Sequence, residues 1–131
     1  MEGEPTGDVY DWYRRGCRLL DDGHPMAAVT LLERVADAEP QARHVREALG
    51  RARLAARQYA AAEADFSQLV QQQPDDDYAH LGLGLALARQ GRCAAAAEHL
   101  ALAVAMRPDR DDYVEQLRQV RATLKARASS R

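Results

Sequence analysis

The chain has 131 residues, of which 47% are hydrophobic and 29% charged, with a formal net charge of -2. That length supports one domain with a modest core, and that balance excludes an intrinsically disordered chain. The near-neutral charge excludes a global pull toward nucleic acid or an anionic membrane, and no apolar run approaches the roughly 18 residues of a spanning helix.

The opening stretch, "MEGEPTGDVY", is acidic and lacks the apolar segment of a signal peptide. Residues 1–7 are expected to be disordered, and the cytoplasm is the default location. From there the periodicity predicts helices in pairs: roughly 8–22 and 25–38, 41–56 and 59–72, 76–90 and 93–106. Within the pairs the turns are Asp21–Pro25, Ala56–Gln58 and Arg89–Cys93, where Gly23 and Gly91 are natural helix C-caps. Pro40, Pro74 and Pro108 close each pair, since proline cannot continue a helix. A last helix, about 110–127, has no partner. Asp109 is its expected N-cap, Val114, Leu117, Val120 and Leu124 its apolar stripe, and 128–131 a disordered tail.

The stretch Gly82-Leu83-Gly84 begins like a phosphate-binding loop. Such a loop needs a strand before it and a third small residue three positions after the second glycine. Here the preceding segment, "DDDYAH", reads as a helix start, and position 87 is leucine. A different origin for the glycines follows from their spacing. Gly16, Gly50 and Gly84 recur at a 34-residue interval, and so do Ala28, Ala62 and Ala96, and the three closing prolines. Such a period marks a helix-turn-helix array. Small residues on both helices of a pair are expected to permit close approach, with Trp12, Leu32, Val35, Leu49, Tyr59, Phe66, Leu69, Leu83, Leu87 and Leu100 filling the seam.

Catalytic and metal-binding chemistry finds little support. No three of His24, His44, His80 and His99 converge in this frame, and a metal site needs three or four ligands. Cys17 and Cys93 lie two repeats apart, too far for a disulfide, and neither has a neighbouring base in sequence. The basic stretches "QARHVREALGRARLAAR" and "RQVRATLKAR" are interleaved with acids and read as solvated helix faces. The expectation is therefore no cofactor, no metal and no nucleic acid or membrane partner.

The phased positions resemble the tetratricopeptide repeat family. The second repeat carries Leu49-Gly50, Ala62, Phe66 and Pro74, the third Leu83-Gly84, Ala96, Leu100, Ala103 and Pro108, and the first Trp12, Gly16, Ala28, Leu32 and Pro40. Arg15 before Gly16, Arg46 and His80 at one usual aromatic position, and Arg53 at a later one depart from the pattern. The resemblance implies an all-α fold, a right-handed superhelical solenoid of three repeats (about 9–42, 43–76 and 77–110) with the last helix as cap, the domain spanning 8–127. It also implies a concave wall of first helices that binds a peptide segment of a protein partner. On that wall the groove residues are expected to be Tyr10, Tyr13 and Cys17, with Leu20, from the first repeat; His44, Glu47 and Arg51, with Ala48 and Ala55, from the second; Tyr78, Leu81, Gly82 and Leu85, with Arg89, from the third; and Asp112, Glu115 and Gln119 from the last helix. Gly82 would then leave room for a ligand backbone. The family's chaperone-tail binders hold a terminal carboxylate with Lys, Asn and Arg. The corresponding positions here are Tyr13, Cys17, Ala48, Tyr78 and Gly82, so that clamp is absent. The implied function is a non-enzymatic adaptor or scaffold, a monomer or weak homodimer. The alternatives are a chaperone-like shield for apolar client segments and a module that self-associates through its first repeat.

Overall fold

The computed structural model describes residues 6–130, with side chains from 8 onward. Seven helices follow one another: α1 (Thr6–Asp21), α2 (Pro25–Ala38), α3 (Arg43–Ala55), α4 (Tyr59–Gln72), α5 (Asp77–Arg89), α6 (Cys93–Met106) and α7 (Asp111–Ser129). No strand occurs among the described residues. The fold is an all-α solenoid: each helix packs on the next along the chain. No helix among the described residues is long and apolar enough to cross a membrane.

Helix ends differ from the sequence expectation at both termini. Thr6 and Gly7, expected to be disordered, already belong to α1, whose first turn carries Asp8 at the positive end of the dipole. Residues 128 and 129, also expected to be disordered, continue α7. Arg127 explains this, since its guanidinium donates to the Gly91 carbonyl oxygen at 3.0 Å and ties the last turn to the α5–α6 corner. The expected disorder of 1–5 and 131 lies outside the described residues. Asp109 does not cap α7 either. Its carboxylate is held by the Arg107 fork at 3.0 and 2.9 Å, and Arg110 takes the cap position without a side-chain capping bond. By contrast Asp76 does cap α5, accepting from the Ala79 N–H at 3.0 Å.

The three turns inside the pairs share one geometry. Gly23, Arg57 and Gly91, again 34 residues apart, have φ of 85°, 65° and 81°. In each the next N–H reaches back to close the helix: His24 to Leu19 O, Gln58 to Arg53 O and Arg92 to Leu87 O, at 2.8, 2.8 and 3.0 Å. Arg57 therefore holds a left-handed conformation that disfavours a Cβ by about 1–2 kcal/mol. Arg57→Gly is expected to raise stability by about 1 kcal/mol in urea denaturation, and a loss of stability there would contradict this account of the turn.

The phased glycines pack differently from the small-against-small expectation. A Cβ on Gly16 would lie 2.7 Å from Leu32, on Gly50 2.9 Å from Phe66 and on Gly84 2.7 Å from Leu100. Each glycine thus receives the bulky side chain one turn beyond the phased alanine of the partner helix. The alanines are themselves fully buried. Two clusters result, one around Leu32, Val35 and Leu49 and one around Phe66, Leu100 and Tyr113.

Candidate functional site: the inner row of helices

The odd-numbered helices α1, α3, α5 and α7 each touch the next odd helix, whereas α2, α4 and α6 do not touch one another. The odd row is therefore the tighter, inner side of the curve.

On this row Tyr13 and Cys17 of α1 are half-buried and neighbour each other, and Tyr13 also lies near Glu47 of α3. The Tyr13 ring meets His44 edge-on, with centroids 4.9 Å apart. Burial raises the Tyr13 hydroxyl above the ordinary tyrosine range, with Cys17 and Glu47 adding to the shift. Burial also raises the Glu47 carboxyl, reinforced by Asp76 and offset by Arg51 and Arg43. Tyr78 of α5 packs edge-on against Phe66 at 6.3 Å, and burial raises its hydroxyl while the neighbouring Arg51 pulls it back. Tyr13, Cys17, Glu47, Arg51 and Tyr78 thus form one continuous surface.

A recess of about 370 Å³ opens beside it. Leu20 closes it from α1, Arg51, Leu54 and Ala55 from α3, Tyr59 from the start of α4, and Tyr78, Leu85 and Arg89 from α5. Leu54 and Tyr59 escape the sequence reading: Leu54 lies 34 residues after the expected groove residue Leu20 and could have been found from it, whereas Tyr59 at a helix start was assigned to the seam. Tyr10, 60% exposed, and His44 stand apart with Tyr13 around another recess of about 380 Å³, next to Val35 of α2 and Glu39 just beyond its end.

Three expected groove residues are elsewhere, the first being Ala48, which is buried in the core cluster with Leu32 and Leu49. Leu81 is only 7% exposed and belongs to the core cluster. Gly82 is buried beneath the Phe66 ring, and a Cβ there would fall 2.4 Å from its carbons. The ring of α4 leans into the space that a glycine leaves, so Gly82 offers no room to a ligand.

The residues that depart from the repeat pattern have polar partners. Asp65 of α4, 2% exposed, accepts from Arg53 Nη1 at 3.0 and 2.9 Å and from Arg46 Nη1 at 3.2 Å, and Arg53 Nη2 reaches Glu33 at 2.9 Å. His80, also buried, donates from Nε2 to the Pro74 carbonyl oxygen at 2.8 Å, which leaves its Nδ1 to accept from His99 Nδ1–H at 3.1 Å. So two histidines do converge, though not three.

Burial, and then the nearby His80, hold the His99 ring below the ordinary histidine range. A base whose folded pKa is depressed contributes stability above its unfolded value, near 6.5, and loses it as pH falls through the lower folded value. The melting temperature is expected to drop between about pH 7.5 and 5, and His99→Gln to shrink that drop. Equal drops in the two proteins would rule out the pair as the source.

Among the described residues no group of three or more His, Cys, Asp or Glu side chains could hold a metal ion. The site is instead a curved wall of helix faces, the surface of a helical-hairpin repeat protein. The tetratricopeptide repeat profile matches residues 13–77 and 47–111, and the chain belongs to that family. Among solved structures it is similar to MamA, residue 41 to the end, from Desulfovibrio magneticus RS-1, with 24% identity over 92% of this chain and 68% of that one and a TM-score of 0.85. It is also similar to the first tetratricopeptide repeat domain of Spaghetti (RPAP3) bound to the HSP90 peptide SRMEEVD, at 16% identity, 92% and 96% coverage and a TM-score of 0.82. The second such domain of human RPAP3, in complex with the HSP70 peptide SGPTIEEVD, gives 19%, 90% and 98%, and 0.79. At these identities the likeness establishes the fold. No curated protein sequence matches the chain significantly.

Proposed function

We propose that the chain is a non-enzymatic interaction module that holds a peptide segment of a protein partner along the inner row of helices, without a carboxylate clamp. The observation that carries this reading is the continuity of Tyr13, Cys17, Glu47, Arg51 and Tyr78 across three helices, ending at an apolar recess. Aromatic and arginine side chains are the residue types that dominate interface energetics. Two structural relatives are bound to peptides, which supports a peptide as the ligand class. At the positions of the chaperone-tail clamp stand Tyr13, Cys17, Ala48, Tyr78 and Gly82, which supply no lysine, arginine or asparagine, and two of them, Ala48 and Gly82, are buried.

Peptides selected from a random library against the full chain are expected to lose affinity at least tenfold on Tyr13→Ala and on Tyr78→Ala, since truncating an aromatic anchor commonly removes about 2 kcal/mol or more. Glu98→Lys, on the exposed outer face of α6, should leave them unaffected. If Glu98→Lys abolishes binding and the tyrosine variants do not, the outer row carries the site.

A further inference from the structure

We infer that the recess at the end of the inner row selects an apolar side chain flanked by carboxylates, so that the module reads an acidic peptide carrying a hydrophobic anchor. This rests on the proposed peptide-binding role of the inner row and adds the chemistry of the ligand.

The floor of the recess is apolar: Leu20, Leu54 and Leu85, with the rings of Tyr59 and Tyr78. Its volume of about 370 Å³ is ample for one branched or aromatic side chain, given that an apolar cavity of roughly 150 Å³ binds benzene. The lining holds two cations, Arg51 and Arg89, and no acidic residue. Neither guanidinium takes part in an ion pair among the described residues, whereas Arg43, Arg46, Arg53, Arg92, Arg107, Arg110 and Arg118 all do. The two cations come from different helices, α3 and α5. A peptide anchored in the recess therefore brings its neighbouring residues against two positive charges that line it. Carboxylates there gain charge-assisted hydrogen bonds from guanidinium forks, and ammonium groups meet like charge beside an apolar wall. Glu47, one turn before Arg51, is outside the recess lining, but its carboxyl is pulled down by Arg51, so part of that cation's charge is already answered and Arg89 carries the preference most directly.

The test is a selection of random twelve-residue peptides by the full chain, followed by fluorescence anisotropy with the enriched peptides. The enriched sequences are expected to place an Asp or Glu within two residues of a Leu, Ile, Phe or Met. Replacing that apolar residue by Ala, or the flanking acids by Lys, should weaken binding at least tenfold, and added salt should weaken it further. Arg51→Glu with Arg89→Glu should reverse the preference toward Lys-flanked peptides. That gain of binding identifies a folded variant and cannot come from a collapsed one. Enriched peptides without acids, or acid-bearing peptides whose affinity ignores the Arg51 and Arg89 reversal while still falling on Tyr13→Ala, overturn this inference and leave the inner-row reading standing. Peptides indifferent to every inner-row variant, or no enrichment at all, overturn both.

Discussion

Asp65→Ala is expected to remove about 3–5 kcal/mol of stability, because it takes the acidic partner from Arg46 and leaves Arg53 with Glu33 alone in a largely buried seam. Asp65 is 2% exposed and bonds both Arg53 and Arg46. Burial raises its carboxyl above the ordinary aspartate range, and the two arginines pull it back. The carboxylate is thus retained by its partners and they by it. Nor is the network fully satisfied, since the Nε atoms of Arg46 and Arg53 have no hydrogen-bond partner. That imperfection sets the second half of the expectation. Arg46→Trp, Arg53→Tyr and Asp65→Leu together restore apolar packing at the places where the repeat pattern puts aromatics. The triple variant is expected to be at least as stable as the parent, as apolar replacement of buried ion networks often is. Chemical denaturation of the single and triple variants checks both. A loss below about 1 kcal/mol in Asp65→Ala would place these arginines in solvent rather than in the seam.

The same three residues show where the sequence was legible. Arg46 and Arg53 stand out as departures from a repeat pattern, yet the pattern does not say what replaces the lost aromatic contacts. The available clue is Asp65 itself, an acid next to Phe66 on the buried face of α4, where nothing but a charged partner would keep it. The period of 34 residues, by contrast, locates every helix pair and the close approaches at Gly16, Gly50 and Gly84. Phase alone is too coarse to separate the inner wall from the seam. Leu81 and Gly82 lie within a turn of Tyr78 and Leu85, yet Leu81 joins the core cluster and Gly82 is covered by the lean of Phe66 from the neighbouring helix. The recess drew on Leu54 and Tyr59, which come from the end of one helix and the start of the next. No single-helix periodicity unites such residues.

Deleting residues 109–131 is expected to abolish cooperative folding of the third repeat and to drive association, and Tyr113 is the reason. The apolar stripe of α7 runs through Tyr113, Leu117, Val120 and Leu124 rather than beginning at Val114, one position and about 100° further round the helix. Tyr113 is 1% exposed, donates its hydroxyl to Asp77 Oδ2 at 2.7 Å, and lies beneath the Arg110 guanidinium at 4.5 Å. It therefore joins α7 to the first turn of α5, in one cluster with Phe66 and Leu100. Tyr113→Ala is expected to cost about 3–5 kcal/mol, as large buried aromatics do on truncation. Tyr113→Phe keeps the ring and leaves Asp77 without its donor, for about 1–2 kcal/mol. The deletion removes the whole stripe and exposes the apolar face of α5 and α6 behind it. Repeat arrays end on a helix with a polar outer face for this reason, and Arg118, Arg121 and Lys125 supply that face here, all three exposed. Light scattering and circular dichroism of the truncated chain test the expectation. A truncated protein that remains monomeric, with the parent's melting temperature, would show that α7 rests on the array without completing it.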